Sequence, residues 1–278
     1  MKSEAAIIIG GGVGPMAGVA LHAKIIEQTA TDGTDQSHLH VFHYSCSPCI
    51  PDRTEYLHAL RSGKEVAGEA DSPAAAMAEV FERASRVPFA GGFVGGVPCN
   101  TFHAQPIFGR FRAILEEKKS PVRLVHMLDE TIQLIGARLG SMQRQQKPGQ
   151  QKEEGTVGVL ATLGTHSSGV YDALLKASGY TPLYLEAEDN RAVHDAIYNR
   201  EWGIKAASPV TERAVGVVLG KVQKLKEAGA SAIILGCTEL PLAVPGTEYE
   251  GTPLIDPVLA LARALIREAA PEKLKALR

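Results

Sequence analysis

No apolar run in the chain approaches the roughly 18 residues that a membrane-spanning helix needs, so no such segment is expected. Charge of one sign is also missing: 29 Lys and Arg stand against 31 Asp and Glu, a formal net charge of -2. That balance argues against a general nucleic-acid surface or a surface for anionic membranes. Met1-Lys2-Ser3-Glu4 runs straight into a short strand-like stretch, without the apolar core and cleavage site of a secretory leader, and a cytoplasmic protein is expected. Cysteine is scarce, with four in 278 residues. That is no disulfide scaffold; in a reducing compartment such cysteines are more often buried, catalytic or metal-bound.

What is present is ordinary in bulk. Hydrophobic content of 45% and charged content of 22% are those of a soluble globular chain, long enough for one large or two ordinary domains. Short β-branched runs alternate with helix-period segments. Strands are expected at Ala5–Ile9, Leu39–Ser45, Phe89–Val97, Pro121–Met127, Thr156–Thr162, Thr181–Leu185, Ser231–Gly236 and Thr252–Ile255. Helices are expected at Pro15–Thr31, Ala74–Arg86, Gln105–Lys118, Asp129–Leu139 (ending at Gly140), Val170–Ser178, Ala187–Arg200, Pro209–Ala228 and Pro257–Ala269. Ser141–Gly155 is polar, Gln-rich and without apolar period, which predicts a long solvated loop, disordered or nearly so.

The alternation predicts an α/β fold with parallel sheets flanked by helices. The two halves repeat a device. A strand runs into a Gly- or Thr-bearing turn, and a later strand ends in Gly and then delivers Cys: Gly96-Val97-Pro98-Cys99 in one half, Gly236-Cys237 in the other. An ancient duplication follows: two pseudo-symmetric Rossmann-like domains, 1–119 with 254–278 and 120–253. The active site is expected in the interdomain cleft, at the carboxyl edges of the sheets.

Several motifs have competing readings. Gly10-Gly11-Gly12-Val13-Gly14-Pro15 is either an anion-binding loop at a helix start or a tight strand-to-helix turn. A dinucleotide fingerprint fits poorly, because Pro15 stands where its third glycine belongs. Cys46 and Cys49 form a C-x-x-C pair, but no second ligand pair stands at matching spacing, so ordinary loop cysteines are expected and no metal. Arg53, read as lying on a loop after a strand, is placed to grip a carboxylate; a surface ion pair with Asp52 or Glu55 is the alternative. Cys99 and Cys237 are either two catalytic thiols or inert buried cysteines.

Taken together and in order, these pieces resemble the aspartate/glutamate racemase superfamily, most closely its aspartate racemase branch. The matching residues are Gly11-Gly12-Val13-Gly14-Pro15, Pro51-Asp52-Arg53-Thr54, Pro98-Cys99-Asn100-Thr101, Ala161-Thr162-Leu163-Gly164-Thr165 with Ser168-Gly169-Val170-Tyr171, Gly203-Ile204-Lys205, and Gly236-Cys237-Thr238-Glu239. The chain departs from the family's usual pattern at Val13, where Met is common, and at Phe102, where Ala is common; both departures bear on pocket shape.

The resemblance implies a cofactor-independent racemase of an acidic amino acid, aspartate first and broad aspartate/glutamate specificity second. Cys99 and Cys237 would be the two bases, acting on opposite faces of Cα. Val13, Asp52, Arg53, Thr54, Asn100, Thr101, Thr165, Lys205 and Thr238 would line the substrate, with Arg53 and Lys205 on its carboxylates. His103 and Glu239 would tune the thiols. It further implies a homodimer, no metal and no nucleic-acid or membrane partner. Two alternatives stand beside it: a superfamily isomerase or decarboxylase on a small maleate-like dicarboxylate, with the paired cysteines disfavouring the decarboxylase, and a non-catalytic carboxylate-binding relative.

Overall fold

A computed structural model describes residues 4–63, 72–143 and 155–277. Its elements run β1 (Ala6–Gly11), α1 (Pro15–Gln28), β2 (Val41–Ser45), α2 (Arg53–Arg61), α3 (Pro73–Ser85), β3 (Phe93–Gly96), α4 (Gln105–Glu117), β4 (Val122–Leu124) and α5 (Met127–Gln143). The chain continues through β5 (Thr156–Ala161), α6 (Leu163–Ser168), α7 (Asp172–Ala177), β6 (Thr181–Tyr184), α8 (Ala187–Tyr198), α9 (Glu212–Glu227), β7 (Ala232–Gly236), α10 (Leu240–Ala243), β8 (Glu248–Tyr249), β9 (Thr252–Ile255) and α11 (Pro257–Ala269). It divides into two compact units, Met1–Glu130 with Val258–Arg278, and Thr131–Pro257.

The first unit holds a four-stranded parallel sheet in the order β2-β1-β3-β4. β1 is buried along its whole length, which is why it reads as an unbroken apolar run rather than an alternating one. Helices close tightly on β3 because glycine leaves room: a Cβ on Gly95 would lie 2.5 Å from the Phe81 ring. Phe81, Phe111 and Phe102 then form an edge-to-face series, with centroids 5.1 and 5.4 Å apart. Phe102 is fully buried in this core. Its ring also meets His103 at 6.2 Å between centroids.

The second unit repeats the plan. Its sheet runs β6-β5-β7-β9-β8, parallel except for the short β8 hairpin on β9. Without β8, the order β6-β5-β7-β9 is that of the first sheet, strand for strand. The core is aliphatic, with Leu160, Val218, Val222, Ile233 and Leu235 all fully buried. Each such side chain contributes about 1.5–3 kcal/mol of transfer free energy.

Five expectations are corrected. Arg53 does not lie on a loop; it opens α2, because Asp52 caps the helix by accepting from the amides of Thr54 (2.8 Å) and Glu55 (2.9 Å). Leu163–Ser168 is helical, since the Thr162 hydroxyl accepts from Thr165 N at 3.2 Å and left-handed Gly169 (φ 63) ends the turn. α5 passes through Gly140 to Gln143, because one helical glycine costs only about 1 kcal/mol. β3 begins at Phe93 rather than Phe89, after a turn in which Gly92 has φ 74. β4 ends at Leu124, and Met127 already belongs to the next helix. Of the loop expected over 141–155, residues 144–154 lie outside the described residues.

Candidate active site

In each sheet the strand order reverses direction between two neighbouring central strands, β1 and β3 in the first and β5 and β7 in the second. Ligands of open α/β sheets bind beyond the carboxyl ends of such strands. Cys99 follows β3 and Cys237 follows β7, so each cysteine stands at the reversal point of its own sheet.

In the first unit the thiol sits on a tightly held turn. Cys99 N–H donates to the Val97 carbonyl at 2.9 Å, across Pro98. Its own carbonyl lies 2.8 Å from His103 Nδ1. Asn100 and Thr101 follow and are buried. The loop after β1 is shaped by Gly12, whose φ of 90 and close approach to the Cys46 and Ser47 amides (2.6 Å from a would-be Cβ) admit no side chain. Val13 is buried there, and its carbonyl accepts from Arg53 Nη2 at 2.5 Å. Arg53 Nη1 donates to Pro51 O at 3.1 Å. Arg53 thus ties the start of α2 to the β1–α1 loop. Asp52 and Thr54 are joined to each other by the cap.

In the second unit, four of the expected residues meet around one carboxylate. Glu239 is buried and accepts from Cys237 Sγ at 3.1 Å, from Thr238 Oγ1 at 3.0 Å and from Lys205 Nζ. Burial alone would raise the Glu239 pKa; the Lys205 charge and the three donors outweigh it and hold the carboxyl below its ordinary range. Burial alone would lower the Lys205 pKa; the charge of the Glu239 carboxylate outweighs it and keeps the pKa above its ordinary value. Burial pushes the Cys237 thiol up, the Glu239 carboxylate adds to the shift, and Lys205 opposes it. The resting group is therefore a thiol whose proton points at a carboxylate. Thr165 is held separately, by Thr162 at the first turn of α6.

Two aromatic residues escaped the sequence reading. Tyr198 carries the Lys205 ammonium 5.3 Å from its ring centroid and stacks on His194 at 4.8 Å. Their spacing of four on a predicted helix was the available signal, since such residues share a face. Cys46 is half-buried and Cys49 exposed, and both are free thiols. Among the described residues no group of three His, Cys, Asp or Glu side chains converges as metal ligands, and no helix is long and apolar enough to cross a membrane.

The sequence pattern of the Asp/Glu/hydantoin racemase family matches residues 11–265. The solved structure of Picrophilus torridus aspartate racemase superposes with a TM-score of 0.70 at 23% identity, covering 96% of this chain and 94% of that one. An aspartate racemase homologue from Pyrococcus horikoshii gives a TM-score of 0.62 at 20% identity, covering 97% of this chain and 100% of that one. By sequence, a glutamate racemase of Pseudomonas putida is 34% identical over 125 residues, 44% of this chain and 44% of the relative. The chain spans well under two thirds of the length of the sequence relatives it matches.

Proposed function

The chain belongs to the Asp/Glu/hydantoin racemase family, and on that premise we propose that it is a cofactor-independent racemase of an acidic amino acid, aspartate before glutamate. The observation that carries the reading is the paired placement of Cys99 and Cys237 at the same topological point of two like-ordered sheets. Aspartate is preferred because Asp52-Arg53 and Ile204-Lys205 resemble the aspartate branch. The glutamate racemases among the sequence relatives keep glutamate as the second choice.

In this reading one sulfur, as thiolate, takes the proton from Cα, and the other, as thiol, gives its proton to the opposite face. The C–H electron pair passes through a carbanion whose charge spreads into the carboxylate and returns to the new C–H bond. After one turnover the two sulfurs have exchanged protonation states. Arg53 and Lys205 offset the developing charge, and Asn100, Thr101, Thr165 and Thr238 donate to carboxylate oxygens. Asp52 and Thr54 act by fixing Arg53, and Val13 presents its carbonyl to it. Glu239 accepts a hydrogen bond from the Cys237 thiol and so orients its proton. The same reading takes the protein as a cytoplasmic homodimer.

The test is incubation with L-aspartate, and separately L-glutamate, in deuterated buffer, following Cα–H loss by NMR together with optical rotation. Exchange with inversion is expected, and neither Cys99→Ser nor Cys237→Ser should racemise. Mirror-image substrates have equal free energies, so kcat/KM in the wild type must be the same in both directions. No exchange with either amino acid would refute the assignment and turn attention to maleate-like diacids.

A further inference from the structure

We infer that His103 is a neutral, Nδ1-protonated positioning residue that fixes the Cys99 turn through both ring nitrogens, and that it takes no part in proton transfer. The inference rests on the reading of Cys99 as a catalytic thiol for its functional half; the tautomer stands without that reading.

The geometry leaves one arrangement of the imidazole proton. The Met127 amide, which can only donate, points at His103 Nε2 from 3.2 Å. Nε2 must therefore present a lone pair. The Cys99 carbonyl, which can only accept, lies 2.8 Å from Nδ1. Nδ1 must therefore carry the hydrogen. A second proton would remove the acceptor from Met127 and leave a charge in a nearly closed site, for His103 is only 4% exposed. Phe108 stacks on the ring with centroids 4.8 Å apart, His126 meets it edge-on at 4.8 Å, and Phe102 stands at 6.2 Å. The charged or titratable groups that act on it are His126 and Asp129. Burial first, then His126, push its pKa to about 3, against the opposing pull of the Cys99 carbonyl and Asp129.

With both nitrogens engaged, the ring has no free site for a thiol proton. What it does have is reach across the sheet edge. β3 and β4 are neighbours, and His103 joins the turn after β3 to the first residue of the helix after β4. Cys99 is consequently held by both of its backbone groups, the N–H by Val97 and the carbonyl by His103. A misplacement of about 1 Å at a reacting group costs about a hundredfold in rate.

The experiment uses the full chain labelled with 15N-histidine. His103 is expected to keep the Nδ1–H neutral signature from about pH 5 to 8, the range in which an ordinary histidine titrates. Three variants then separate the bonds. His103→Asn retains a donor near the Nδ1 position and should lose no more than about tenfold in kcat, whereas His103→Gln and His103→Ala lose that donor and should fall by about a hundredfold. KM should change little, and the ionisations in the pH–rate profiles should stay where they are. An Nε2–H tautomer or a ring that titrates in that window would overturn the inference. So would a His103→Asn enzyme as slow as His103→Ala with a displaced pH profile. If a variant fails to fold, the wild-type spectrum still decides the tautomer. If the wild type racemises nothing, the functional proposal fails, and alkylation of Cys99 in the Asn and Ala variants reads the positioning instead: equal rates in both would overturn it.

Discussion

Replacing Glu239 by glutamine keeps the shape of the Cys237 site and removes one charge. In the wild type the carboxylate lies 3.1 Å from the Cys237 sulfur, and it holds Lys205 as well. At 3.1 Å and an effective dielectric constant of about 20, two unit charges interact by about 5 kcal/mol. That figure is a ceiling on what the carboxylate adds to the thiol's resistance to ionisation. Two further changes act in the same direction: the glutamine amide can donate to a thiolate, and Lys205 loses its competing anion. The Cys237 pKa is therefore expected to fall. The assay is alkylation by a small iodoacetamide reagent across a pH series, with Cys237 read by peptide mass spectrometry. A reaction midpoint that stays in place or rises would refute the account of the site's electrostatics. If the two-thiol reading holds, kcat/KM falls by one common factor for both enantiomers, since their equilibrium constant is fixed at unity.

Three other perturbations have definite expected outcomes. Asp52→Ala removes the cap of α2 and should cost about 0.5–2 kcal/mol in chemical denaturation, with KM rising more than kcat falls because Arg53 is carried on that first turn. Gly95→Ala drives a methyl to within 2.5 Å of Phe81 and should destabilise by about 1–3 kcal/mol in thermal or urea unfolding. Glu239 has its folded-state pKa below the ordinary 4.5, so its contribution is full above the unfolded value and disappears as pH falls through the depressed one. Glu239→Gln should accordingly be less stable than wild type near neutral pH, and the gap should narrow in urea titrations carried below pH 4.5.

The central strands of both sheets were legible because they are buried on both faces. Phe93–Gly96 and Ala232–Gly236 lie within such apolar, buried runs, and both cysteines could be placed after strand ends from them. The helix at Arg53 was legible and was missed. Asp52 followed three residues later by Glu55 is a capping pattern, but Pro48 and Pro51 close by gave the stretch the look of a loop. The helix at Leu163 was hidden because its six residues include Gly164, Ser167 and Ser168 and are too few to show an apolar period. The Lys205–Glu239 pair lies beyond sequence reasoning of this kind. The partners stand 34 positions apart on different elements, and only the packing of the second unit brings the ammonium to the carboxylate.

The two cysteine turns occupy equivalent positions, yet their chemistry differs at one matched residue. Two positions after the first cysteine the chain has Thr101, and two positions after the second it has Glu239. A hydroxyl cannot hold a proton for a neighbouring thiol at neutral pH, and a carboxylate fixed by a lysine can accept a hydrogen bond from one. The Cys237 thiol donates to that carboxylate, while the Cys99 turn is braced by an imidazole joined to its backbone carbonyl. Two like-ordered sheets thus carry unlike cysteine turns. Under the two-thiol reading, the resting protein keeps a proton on Cys237, the acid that serves the enantiomer presenting its Cα–H to Cys99. The opposite enantiomer requires the reversed state. Equal kcat/KM in the two directions is imposed by thermodynamics, but kcat and KM individually are not so constrained. The electrostatic asymmetry should surface there, as a common factor by which both parameters differ between the two enantiomers.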